Sequence, residues 1–268
     1  LRPLGGIAGF PKPPESDCDA FVAGHASNSV SVAIGMARAR TLQKGKYHVL
    51  ALIGDGALSG GMAYEGLSDA GDSGEPLIVI LNDNGMSITK SVGGVADHLA
   101  RQRLKPQYLR FKKGYRKVMS ILPLGVHIYN DTQDVKTAIK ETLLPCSLFE
   151  DMGITYLGPV DGHDVKRLTR LLNYAKELDG PVLLHVRTVK GKGYSPAEHN
   201  PDRFHGVGRF CVETGELLHP AGPNFSSVFG QTMCQLAEED GAVCAITAAM
   251  QSGTGLDQFA QQFPERFF

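Results

Sequence analysis

Three short apolar runs punctuate the chain, and each stops abruptly at a glycine-rich or polar cluster. Residues 47–53, 77–81 and 181–189 carry the β-branched and aliphatic side chains of buried strands. Between the first two, residues 58–71 are small and apolar at helical spacing, and the turn Ser73-Gly74-Glu75-Pro76 returns the chain to the next strand. Residues 31–42 form an earlier helix, with Ser27 or Asn28 as its N-cap; Ala33, Gly35 and Ala37 are small enough to pack closely on a sheet, and Gly45 ends it. Residues 135–143 and 165–178 also read as helices. Beyond a Pro-, His- and Gly-containing stretch come a helix at 225–239, a strand at 242–247 and a helix at 257–263. Residues 1–19, rich in Gly and Pro, are an irregular lead-in.

This alternation predicts an α/β protein: a parallel sheet with helices on both faces, followed by the start of a second α/β domain. The expected division is a first domain at 1–195, a linker or crossing loop at 196–223, and a truncated second domain at 224–268.

The first strand ends in Gly54-Asp55-Gly56 and the second in Asn82-Asp83-Asn84, with Asp55 and Asn84 29 positions apart. Either cluster alone is a common turn former. Around one strand–helix–strand unit, a right-handed parallel crossover carries both to the carboxyl edge of the sheet, where α/β proteins bind ligands. A carboxylate and an amide oxygen there suit a hard cation such as Mg²⁺, which takes few protein ligands and shares the rest with phosphate oxygens. Helices starting after Gly56 and Ser27 would add backbone donors for the same anion. Rival glycine loops fail: Ser59 stands where a dinucleotide fingerprint needs its third glycine, and GxxxxGK[ST], GxSxG and HExxH are absent.

Composition narrows the field further. A net charge of −1 gives no pull towards nucleic acid or anionic membrane, and no apolar run approaches the roughly 20 residues of a membrane span. The basic stretch 90–119, with Tyr108, Phe111 and Tyr115 interleaved, reads as a solvated helical hairpin rather than a nucleic-acid surface. The five cysteines are odd in number and widely spaced, as expected of free thiols in a reducing compartment. The 32 glycines gather at strand ends, consistent with many tight turns.

GDG followed by NDN resembles the diphosphate motif of thiamine-diphosphate enzymes. The wider text GHASNSVSVAIGMA, GDGALSGGMAYEGLSDAG, LIVILNDNGMSI, GPVDGHD, KGKGYSPAE and FHGVGRF is similar to the 1-deoxy-D-xylulose-5-phosphate synthases, which are transketolase relatives. The likeness covers nearly the whole chain in order and is weakest at 98–135; Gly85 stands where the family has a larger residue. It implies that Asp55, the Asn84 side chain and the Met86 carbonyl hold Mg²⁺. It also implies that Gly56 and Ala57 lie against the diphosphate, and that Gly24, His25 and Ala26 form the cofactor loop. Lys190 and Tyr194 would make a further cofactor contact, and His205 would join His25 as a catalytic residue suited to proton transfer or to hydrogen-bonding the substrate. His163 in GPVDGHD matches a family motif too, and a structural loop role is an equal reading of it.

The implied cofactors are thiamine diphosphate and Mg²⁺. The implied reaction is decarboxylation of pyruvate and transfer of its two-carbon unit to D-glyceraldehyde 3-phosphate, in a homodimer located in a bacterial cytoplasm or a plastid stroma. The glutamate that activates the cofactor in this family would fall beyond Phe268, and an N-terminal segment with another histidine before Leu1, so the 268-residue chain alone is expected to be inactive or weak. Two alternatives stay open: another transketolase-like enzyme, and a non-catalytic cofactor-binding regulator.

Overall fold

The computed structural model describes residues 4–22, 24–85, 148–218, 222–248 and 250–268. Met86, the basic segment and the helix expected at 135–143 lie outside them.

Four strands, β1 (Leu50–Gly54), β2 (Leu77–Asp83), β3 (Thr155–Asp161) and β4 (Pro181–Arg187), form one sheet in the order β1-β2-β4-β3. The strands run parallel. Ile78 N–H donates to the Val49 carbonyl (3.1 Å), pairing amino ends, and Thr188 N–H donates to the Asp83 carbonyl (3.0 Å), pairing carboxyl ends. The period-two alternation of strands sorts side chains onto two cores. Leu77, Val79, Leu81 and Leu183 face α1 (Ser29–Leu42) and α3 (Gly61–Ser73), whereas Ile78, Val182, Leu184 and Val186 face α5 (Val165–Lys176). Each fully buried aliphatic side chain here contributes about 1.5–3 kcal/mol.

The first core is built on small residues. An added Cβ at Gly66 would stand 2.8 Å from Ser31 Oγ, and at Gly71 it would enter the Met152 carbonyl, which follows the short helix α4 (Leu148–Asp151). Two charged clips close the same layer. Arg40, buried, reaches Glu75 (3.2 Å) and the Pro76 carbonyl (2.9 Å), while the exposed Arg38 meets Asp69 at 2.7 Å. Gly74, left-handed with φ 63°, stops α3 by donating its N–H to the Ala70 carbonyl.

Several boundaries differ from the sequence expectation. The crossover begins with a single turn, α2 (Asp55–Leu58), and the main helix starts at Gly61, because Gly60 is extended and breaks the run. Neither Ser27 nor Asn28 caps α1 with its side chain; Asn28 holds the N-cap position, and the Ser27 hydroxyl is turned to the Ala57 carbonyl instead. Strand β3 was not expected. Its polar ends and Gly158-Pro159 hide the apolar period; among the described strands β3 stands last in the order, a position where proline is tolerated. The strand expected at 242–247 is reduced to a parallel bridge between Ala245 and Phe267, the short segment that runs beside it among the described residues. The helices α7 (Phe225–Glu239) and α8 (Asp257–Gln262) form as expected; α7 starts with a capping box in which Asn224 and Ser227 satisfy each other's backbone N–H.

The described residues fall into two compact units, 4–53 with 57–82 and 148–186, and 54–56 with 83–85 and 187–268. The second has its own small core of Cys234, Ala237, Ala245, Leu256 and Phe259. Cys18, Cys211, Cys234 and Cys244 are free thiols. Among the described residues no helix is long and apolar enough to cross a membrane.

Candidate functional site

The sheet order places three of the expected site residues after three adjacent strands. Asp55 follows β1, Asn84 follows β2, and Lys190 follows β4, so all three stand at the carboxyl edge and belong to the second unit. Asp55 is only 5% exposed, and Asn84 is half-buried. Asp83, 2% exposed, turns its carboxylate inward to accept the Gly85 N–H (3.1 Å), which shapes the turn that presents Asn84. A buried carboxylate is held by hydrogen bonds and by nearby positive charge. Lys190 lies close enough that the Asp55 charge favours its protonated form, although burial outweighs this and lowers the Lys190 pKa overall.

Donor chemistry at this edge fits a hard divalent ion: one buried carboxylate and one amide oxygen, both oxygen ligands and few in number. Among the described residues no group of three His, Cys, Asp or Glu side chains gathers. A site using one acidic side chain, one amide and one carbonyl would not make such a group.

Lys190 belongs to a tightly wound exit from β4. Lys192 N–H donates to Val189, and Tyr194 N–H to Gly191, whose φ of +78° and close approach to Ala197 leave no room for a side chain. The short helix α6 (Ser195–His199) follows, and its Glu198 accepts the Gly193 N–H at 2.8 Å. The described part of the expected linker or crossing loop, residues 196–218, thus carries a helix and hydrogen-bonded turns. Tyr194 packs edge-on against Phe204 (ring centroids 5.6 Å) and beside Phe210 (5.9 Å), and its hydroxyl donates to the Val212 carbonyl. In this position Tyr194 anchors the loop. Its neighbour Phe204 carries His205 to Lys190, with Nζ 3.1 Å from Nδ1. Burial lowers the His205 pKa first, the Lys190 charge lowers it further, and Asp202 raises it in part. His205 is thus held in its neutral form near pH 7.

The remaining expected residues lie in the first unit, with Gly56 in the second. Gly24, His25 and Ala26 are exposed in the loop that leads into α1. Ser27, at φ 71°, ties that loop to the Ala57 turn through a 2.6 Å hydrogen bond from its Oγ to the Ala57 carbonyl. Gly60 makes room for this, since a Cβ there would overlap the Ser27 side chain. Neither Ser27 nor Gly60 was singled out for this contact by sequence; only the GHAS and LSGG texts contain them. His163 is exposed, its N–H donating to Asp161 Oδ1 (2.9 Å), which is a loop role.

The architecture is a parallel α/β sheet with helices, whose carboxyl edge carries polar residues of the kind that bind ligands in such folds. A family model described as 1-deoxy-D-xylulose-5-phosphate synthase matches residues 1–188. The chain is 51% identical over 269 residues to the 1-deoxy-D-xylulose-5-phosphate synthase of Pelotomaculum thermopropionicum, covering 100% of this chain and 42% of that protein. It is 52% identical over 269 residues to that of Symbiobacterium thermophilum, with 100% and 41% covered. With that of Clostridium acetobutylicum the identity is 48% over 268 residues, with 100% and 43% covered. The chain belongs to the 1-deoxy-D-xylulose-5-phosphate synthase family. It spans about two fifths of the length of these curated relatives. Transketolase from Campylobacter jejuni overlaps 64% of this chain and 20% of its own at a TM-score of 0.39 and 21% identity, so the assignment rests on the sequence relatives.

Proposed function

We propose that this chain is the diphosphate- and Mg²⁺-binding portion of a synthase that transfers a two-carbon unit from pyruvate, with loss of CO₂, to D-glyceraldehyde 3-phosphate. The observation that carries this reading is the near-50% identity along the whole chain to relatives named for that product, with Asp55 and Asn84 at neighbouring strand ends. Asp55 and Asn84, with the Met86 carbonyl, would hold Mg²⁺. Gly24, His25, Ala26, Gly56, Ala57 and Lys190 would bind the diphosphate, with Tyr194 bracing the Lys190 turn. The domain division follows the same reading: 1–195 for the diphosphate end and 224–268 for the start of the pyrimidine end.

Thiamine diphosphate, when bound, supplies the electron sink for decarboxylation. The protein's share is position and proton control. Asp55 keeps one fixed negative charge at the edge where the cation sits. His205, in contact with Lys190 on the loop after β4, is held in neutral form, suited to hydrogen-bonding a substrate oxygen. His25, at the other expected contact, is exposed and available to a bound ligand. The full protein would act as a homodimer in the bacterial cytoplasm, in keeping with its bacterial relatives and free thiols.

Calorimetry with thiamine diphosphate and Mg²⁺ on this chain and its Asp55→Ala variant tests the binding half. Assay of the full-length protein with pyruvate and D-glyceraldehyde 3-phosphate tests the reaction. Binding that is indifferent to Asp55 sinks the metal assignment; tight Asp55-dependent binding without turnover of the full-length protein would mark a regulatory homologue.

A further inference from the structure

The contact between Lys190 and His205 constrains more than position. A lysine ammonium carries three donors and no acceptor, so the imidazole nitrogen that faces it must be the unprotonated one. Lys190 Nζ faces Nδ1, at 3.1 Å. We propose that Lys190 is a positioning residue that fixes His205 as the Nε2–H tautomer, so that the ring offers its free edge as a hydrogen-bond donor rather than as a base. This rests on the reading above only in taking His205 as the group that meets the substrate; the tautomer itself exists without substrate.

The surroundings hold the pair in register. Lys190 and His205 are 15 residues apart, in loops that have few ways to stay aligned on their own. Short turns define each end: Lys192 N–H to the Val189 carbonyl and Tyr194 N–H to the Gly191 carbonyl on one side, His205 N–H to the Asp202 carbonyl on the other. Tyr194 and Phe204 join them edge-to-face, four residues after Lys190 and one before His205. Phe204 also meets Phe210 at 5.3 Å, and Gly215 lets Pro196 and Phe204 close over the base of the loop. An exposed lysine–imidazole contact is worth little by itself. A framed one sets proton placement, because moving the proton to Nδ1 would set an N–H against the ammonium.

The consequence concerns reaction direction at this residue. With Nε2 protonated and Nδ1 occupied, neutral His205 gives a hydrogen bond to an oxygen of the bound substrate and keeps its proton. While Lys190 holds Nδ1, the ring has no open lone pair with which to act as a base.

The test needs neither substrate nor cofactor. The chain is labelled with ¹⁵N at its histidine rings, His205 is assigned by loss of its signals in His205→Gln, and spectra are taken above pH 7.5. The expected wild-type spectrum has an acceptor-type Nδ1 and a protonated Nε2. Lys190→Met should move the two nitrogens towards a tautomer mixture, and Lys190→Arg, which keeps a donor, should restore the wild-type pattern. A protonated Nδ1 in the wild type overturns the proposal without any variant, and so does a Lys190→Met spectrum identical to wild type. Assay of the full-length protein reports separately on the function, so an inactive enzyme with the expected tautomer would leave this inference standing and remove the other.

Discussion

The Tyr156 hydroxyl lies 2.6 Å from Nδ1 of His185, joining two neighbouring strands through a side chain that is 0% exposed. His185 points to the α1/α3 face of β4, where an aliphatic residue would serve the core. Phe149 stacks flat on Tyr156 (6.0 Å, 2° between planes) and Tyr156 meets the imidazole edge-on, so the polar pair is enclosed by rings. Its role is to lock β3 onto β4, and β4 is the strand that delivers Lys190.

Tyr156→Phe keeps the ring stacking and deletes one hydrogen bond to a buried group. The expected loss is about 1–3 kcal/mol. Urea unfolding should show a lower midpoint with an unchanged slope; an unchanged midpoint would mean that the hydroxyl contributes nothing net.

Gly71→Ala drives a methyl group into the Met152 carbonyl, backbone against helix, with no flexible side chain to give way. Overpacking of this kind costs about 1–3 kcal/mol or more. Gly66→Ala, whose nearest atom is the movable Ser31 hydroxyl, should cost less. Thermal denaturation of both variants ranks them, and the reverse order would refute the packing argument.

Asp55→Asn separates stability from binding. An amide of the same shape keeps the volume of the buried carboxylate, so the ligand-free protein should still fold and unfold in a single transition near that of wild type. Affinity for thiamine diphosphate in the presence of Mg²⁺ should fall at least roughly tenfold, a change of about 1.4 kcal/mol. Differential scanning calorimetry with and without both ligands reads the two effects from one sample set.

His205 titrates below the ordinary imidazole value of about 6.5, first because it is partly desolvated and then because Lys190 is positive. The unfolded chain therefore binds a proton more readily than the folded one in the window under that value. Its contribution to stability is fully present above about 6.5 and is lost as pH falls through the lower folded value. Lys190→Met should raise the folded pKa, and Asp202→Asn, by removing a favourable negative charge, should lower it further. Titration of the His205 ring signals would check both directions, and opposite shifts would contradict the electrostatic account.

Much of the fold was legible because buried strands and amphipathic helices announce themselves. The runs at 77–81 and 181–189 became β2 and β4, and 225–239 became α7 to the residue, since each carries one period throughout. β3 escaped because Gly158-Pro159 interrupts its apolar pattern, and the run at 242–247 misled because a strand needs partners as well as propensity. Asp55 and Asn84 were legible from strand–turn logic. Lys190 and His205 stood out through family likeness, yet their contact did not, because loop-to-loop pairing across 15 residues has no period to read. Of the two cap candidates, Ser27 and Asn28, the second holds the N-cap position; the Ser27 bond to Ala57 uses the space left by Gly60, a contact with no period to read.

Pro159 sits within β3, at the end of the strand order β1-β2-β4-β3. A proline cannot offer an N–H, so the ladder along β3 is one donor short at this position. The residue that hid β3 from view in the sequence thus also leaves more of the fastening of this strand to side chains, the clasp of Tyr156 on His185 first among them.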